Sequence, residues 1–135
     1  MPANTAPIFT LVPNVGFGEV ATANTAKDGT GTVVLVFTAG ANGSYLQKAR
    51  IKAKGSNVAT SLRFFLNNGS TPTTAANNTL IGEITIAATT LSETAALAEN
   101  EYIFDVPIPS GYRIYVTIGT TVAAGLHVQA YGGDY

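Results

Sequence analysis

Residues 32–55 read TVVLVFTAGANGSYLQKARIKAKG, and their reading decides the fold class. The first part, 32–38, is a run of β-branched and aromatic residues with no helix signal. Its continuous apolar character predicts a central strand buried on both faces, or one covered by an oligomeric partner. Asn42-Gly43 is a strong turn signal, so the stretch predicts a β-hairpin. On the returning strand Lys48, Arg50, Lys52 and Lys54 fall at every second position and project from one face, with Gln47, Ala49, Ile51 and Ala53 as the inward row. That single row holds four of the seven Lys and Arg residues.

Working outward, the same period recurs. Upstream, residues 1–14 carry Pro2, Pro7 and Pro13, which favour extended backbone and predict an arm. Its apolar residues Ile8, Phe9, Leu11 and Val12 are too many for a solvated tail; they dock on this domain or a neighbouring subunit, or form a first edge strand. Residues 15–25 read as a weak strand. Downstream, in 58–66, Leu62, Phe64 and Leu66 alternate as a core face against Ser61, Arg63 and Phe65, so Phe65 marks a contact surface or a second buried layer. A polar connection, 67–78, leads to a strand over 80–87 with Leu80, Gly82, Ile84 and Ile86 on one side. The segment 91–100, LSETAALAEN, is open between a helical turn and an extended connection. Strands follow at 102–108, 112–118 and 126–130.

Seven or eight short strands without a long helix predict an all-β, single-domain antiparallel β-sandwich over 15–135, jelly-roll or Greek-key-like, with an extended N-terminal arm over 1–14. A chain of 135 residues is long enough for one core without metal or disulfide support, and it has no cysteine. Charged residues are 11% of the chain and the formal net charge is −1, so little self-repulsion opposes association; an oligomer or part of an assembly is expected. The opening residues show no signal-peptide pattern, and no run approaches the ~18 apolar residues of a membrane span.

The chemistry-bearing residues are sparse. His127 is the only histidine and has no clustered ligand set, so no metal or cofactor is expected. The acids are scattered, Glu99 and Glu101 included, and nothing in their spacing makes an acid–base pair. No nucleophile motif is present, which argues against an enzyme. The basic row reads as a solvated sheet face, or as a contact for an acidic protein surface. Nucleic acid is disfavoured because only Tyr45 lies nearby as a stacking platform. Tyr102, Tyr112, Tyr115 and Tyr131 form either a sugar-facing ladder or core and interface packing.

The phrases FTAGANGS (37–44), RIKAKG (50–55), LRFFLNNG (62–69), PSGYRIYVTIG (109–119) and YGGDY (131–135) resemble small β-sandwich proteins of tailed bacteriophages and prophages, several of them head decoration, or cement, proteins. The resemblance runs from about residue 30 to the end. It implies a non-enzymatic virion protein on the capsid surface, made in the host cytoplasm, whose partner is the major capsid protein and which forms a homotrimer. An extended terminal arm is a natural strap in such an arrangement. The alternative is a carbohydrate-binding or adhesion module of a head or tail fibre, with a glycan as ligand. The interface residues expected under these readings are Lys48, Arg50, Lys52, Lys54, Ile8, Phe9, Leu11, Val12 and Phe65.

Overall fold

The computed structural model describes residues 9–135; the expectation placed on Ile8 lies outside them. Among the described residues eight strands form: β1 Val12–Val20, β2 Val34–Thr38, β3 Ser44–Ala53, β4 Thr60–Asn67, β5 Asn78–Ile86, β6 Glu99–Ile108, β7 Arg113–Ile118 and β8 Leu126–Asp134. The first sheet has the order β1-β8-β3-β6 and the second β2-β7-β4-β5. The antiparallel pairs β1·β8, β2·β7, β3·β6 and β4·β5 nest one inside the next. That is a long hairpin wrapped into two facing sheets, the jelly roll.

The expected hairpin over 32–55 is therefore not formed. β2 is an edge strand of the second sheet and β3 a central strand of the first. The turn closes locally, with Gly43 N donating to Gly40 O at 3.0 Å and Gly43 at φ +84°. It carries the chain across the sandwich, because the same turn residues serve a hairpin and a corner between sheets.

Asp134 ties this corner together. It accepts hydrogen bonds from the Ser44 hydroxyl and from Asn14 Nδ2 (2.8 Å), while Asn14 also donates to Thr38 O at 2.9 Å. The Ser44 and Asn14 bonds hold the Asp134 carboxyl below the usual aspartate range. A lowered folded-state pKa contributes stability that is complete above the unfolded value and is lost as pH falls through the folded one. Acid titration below about pH 4 should thus destabilise the parent more steeply than Asp134→Asn, which keeps an acceptor but no charge. Parallel acid slopes for the two proteins in urea melts would overturn this.

Three bulges set which residues face inward. In β2 the shift between Leu35 and Phe37 turns both Val36 and Phe37 into the core and leaves Leu35 exposed. The run expected to be a central strand is thus an edge strand, and the bulge rather than burial on both faces accounts for its continuous apolar character. In β3 the shift at Gln47 moves the phase by one residue, so Leu46, Ala49, Ile51 and Ala53 are buried and Gln47, expected inward, is exposed. In β5 the shift at Ile81 packs Ile81 against the core and turns Leu80 outward. The interior sets small residues (Ala49, Ala53, Ala130) with large ones (Phe37, Phe64, Leu62, Ile114).

The two open sides of the sandwich close differently. On one, β1 lies directly against β2: a Cβ on Gly16 would be driven into the Val36 carbonyl. On the other, Tyr102 and Phe104 of β6 pack with Phe64 at centroid separations of 5.3 and 5.0 Å, and Gly82 of β5 leaves room for the Tyr102 ring.

Phe65 is 1% exposed and is a correction to its expected interface role. It lies on the outer face of the second sheet beside Tyr115, under a second buried layer. The β1–β2 connection, residues 21–33, is tied to this sheet at two places. Ala23 pairs with Ile118 at one end of β7, and the Asp28 carbonyl accepts from Asn78 Nδ2 (3.2 Å) at the far edge of the sheet. Asn24 braces the loop by donating to Thr30 O and Thr32 O at 2.7 and 2.8 Å.

The arm expected over 1–14 also begins the sheet earlier than its boundary suggested. Val12, Pro13 and Asn14 already pair with β8, so the edge-strand alternative holds for them, in this same chain.

Candidate functional site

The outer face of the first sheet gathers most of the chain's free chemistry, and its layout follows from register. Opposed residues across β1, β8, β3 and β6 give one row of Glu19, His127, Lys52 and Glu99, and a second of Phe17, Gln129, Arg50 and Glu101. A third row holds Val15, Tyr131, Lys48 and Ile103. The face is charged at one end and apolar at the other.

The four cations do share this face, as the alternation predicts. They are not a free basic patch. Lys48 meets Glu101 at 3.3 Å, Arg50 meets Glu99 at 2.7 Å and Glu101 at 3.5 Å, and Lys54 meets Glu19 at 3.1 Å. The Glu99 hydrogen bond raises the Arg50 pKa above its ordinary value. Bonds from Lys54 and then His127, whose Nε2 is 3.2 Å from Glu19, lower that of Glu19. These acids are distant in sequence and scattered by spacing alone; β1 and β6 bring them beside β3. Exposed pairs of this kind stabilise little, typically 0–1 kcal/mol each, but they cancel the row's field. The row's remaining cation is Lys52. Its register partner Glu99 turns to Arg50, and Lys52 Nζ donates to the Leu97 carbonyl at 3.0 Å.

That bond helps build a cleft. Residues 87–98 form no helix; they fold over the charged end of the face and wall a cleft of about 720 Å³. Leu91, Ser92 and Leu97 form the wall, and Arg50, Lys52, Lys54, His127, Gln129 and Tyr131 the floor. Asn57, 8% exposed, anchors the wall. Its backbone exchanges two 3.0 Å hydrogen bonds with Thr89, and its amide donates to Ala87 O at 2.8 Å and Val58 O at 2.9 Å. The Thr89 hydroxyl bonds its Oδ1, and Leu91 N donates to Ser56 Oγ at 2.9 Å.

The apolar end is exposed among the described residues. Pro13, Val15 and Phe17 project outward from β1 at every second position, Phe17 at 78% exposure. Thr10 lies over Gly133 on this face, so Phe9 and Leu11, at 72% and 81%, adjoin the same strip. Val12 is exposed at the strand's start. The side chains of Phe9, Leu11 and Val12 are thus exposed among the described residues rather than docked on this domain. Val15 and Phe17 were missed because the glycines between and after them made 15–25 read as a weak strand. Those glycines face inward, and the apolar period of two is the signal that finds the strip.

The four tyrosines considered as a ladder are dispersed. Tyr102 packs in the aromatic edge cluster, Tyr115 is buried on the second sheet, and Tyr131 lines the cleft on the first. Among the described residues no group of three His, Cys, Asp or Glu side chains is placed to hold a metal ion. Comparison of the chain with protein-family models, with curated proteins and with solved structures finds no match.

Proposed function

We propose that this chain is a non-enzymatic structural protein of a tailed-phage virion, a head decoration protein that binds and stabilises the shell as a homotrimer. The observation that carries the reading is the exposed strip of Phe9, Leu11, Val15 and Phe17 in a protein of net charge −1. Each such side chain contributes about 1.5–3 kcal/mol on burial. Four of them together approach the association cost of ~4–15 kcal/mol, and every copy in a closed oligomer supplies its own set. The strip closes the oligomer. The resemblance of the strand and turn phrases supports the virion role, and jelly rolls recur in viral capsids, although a fold by itself assigns no function. A ligand that binds only the assembled shell stabilises it by mass action.

Sedimentation of the purified protein, alone and with mature heads of the phage that encodes it, tests this. A discrete trimer that co-sediments with heads is expected. Phe17→Asp should give monomers with an unchanged melting temperature, since the side chain is 78% exposed. A parent protein that stays monomeric and ignores heads would overturn the reading.

A further inference from the structure

The cleft beneath residues 87–98 is lined by more donors than acceptors: Glu99, the carboxylate in its lining, is held by Arg50 at 2.7 Å, and the remaining donors are left to meet a ligand. Lys52 Nζ spends one hydrogen on Leu97 O and has no carboxylate within 4.0 Å among the described residues, whereas Lys48 and Lys54 each have one and Arg50 has two. The Tyr131 hydroxyl donates to Gln129 Oε1 at 2.8 Å, which fixes the amide and leaves its NH₂ as a donor. His127 is held to Glu19 through Nε2 and keeps its other ring nitrogen free. Leu91, Leu97 and the half-buried Tyr131 add apolar surface to these donors. The complement is an acceptor-rich anion with an apolar face.

We infer that this cleft binds a carboxylate-bearing saccharide. The carboxylate meets Lys52, ring hydroxyls accept from Gln129, and the C–H face of the sugar lies on Tyr131 and the leucines. An extended acidic peptide fits less well. The floor is made by β3 and β8, central strands whose backbone groups are already paired on both sides, so no open edge exists there for strand addition. Other cations cannot substitute for Lys52, since Glu99, Glu101 and Glu19 neutralise them. The inference does not depend on the virion reading; it concerns the charged end of the face and needs neither an oligomer nor a shell.

Amide chemical-shift titration of the intact chain with trigalacturonate, with sialyllactose and with neutral maltotriose tests it. Saturable shifts at Lys52, Leu97, Gln129 and Tyr131 are expected with an acidic sugar, and the sugar that binds tighter distinguishes a uronic from a sialic source. Maltotriose should bind at least about tenfold more weakly, because an unpaired Lys52 gains nothing from it. Lys52→Ala should weaken binding about tenfold. Since Lys52 also holds the wall, Gln129→Ala serves as a second variant, with a similar loss expected and the melting temperature unchanged. Absence of shifts up to ~10 mM of either acidic sugar, equal binding of maltotriose, or preferential binding of a glutamate hexapeptide at these amides would overturn the inference.

Discussion

Gly16→Ala should be among the most damaging single substitutions in the chain, costing about 3 kcal/mol or more. Gly16 faces inward from β1 where that strand crosses β2, and an added Cβ would fall well inside 3.0 Å of the Val36 carbonyl oxygen and carbon. Both clashing atoms are backbone. Neither strand can retreat freely, because β1 is held by nine register pairs to β8 and β2 is paired to β7. Relief requires prising the sheets apart along this side, which uncovers Val20 and Val36. Gly18, one inward position further, provides the control. Its added Cβ would meet the Val34 side chain at 2.6 Å and the Leu35 carbonyl at 3.1 Å, and a side chain can rotate away. Gly18→Ala should therefore cost about 1–2 kcal/mol. Urea melts of the two variants decide it; a Gly16→Ala protein as stable as Gly18→Ala would refute the close-approach account.

Asn57→Ala should cost about 2–3 kcal/mol and act chiefly on the wall of the cleft. The substitution keeps the two backbone bonds to Thr89 but removes the amide that caps the Ala87 and Val58 carbonyls and receives the Thr89 hydroxyl. Groups left unsatisfied in a part-buried position carry their desolvation cost, which exceeds the net value of the bonds themselves. Asn57 does not line the cleft, so the local consequence is indirect: residues 87–97 lose their anchor while Lys52, Gln129 and Tyr131 stay on their strands. Hydrogen exchange should show faster exchange across 87–97 than across β3 and β8. Uniform loss of protection over the whole chain would instead mean that Asn57 holds the sandwich globally.

Much of this architecture is legible in local pattern. The alternation of Tyr102, Phe104, Val106 and Ile108, of Leu126, Val128 and Ala130, and of the Lys48–Lys54 row places each side chain on the face it occupies, because a strand's period of two is a property of its backbone. Where a bulge intervenes, the pattern misleads. Gln47 and Leu80 were expected inward and face outward, since one extra residue breaks the phase between the two sides of a bulge and leaves no mark in composition. Phe65 reads as outward-facing, and it is; that it is nonetheless buried is decided by the tertiary structure and not by its strand.

The site divides along the same line. That Lys48, Arg50, Lys52 and Lys54 share a face is determined by their spacing, and so is the all-β class, by β-branched runs punctuated by Gly, Asn and Pro. Whether that face carries charge is a matter of what stands beside it. Only the wrapping of the chain brings Glu19 from β1 and Glu99 and Glu101 from β6 against β3, which silences three cations and leaves Lys52 under the wall of residues 87–98. The same wrapping sends 32–38 and 44–53 to opposite sheets, although their sequence reads as one hairpin. Strand period and turn chemistry are local energies and are written locally; pairing partners are chosen by burial of the whole apolar surface at once, and that choice exists only in three dimensions.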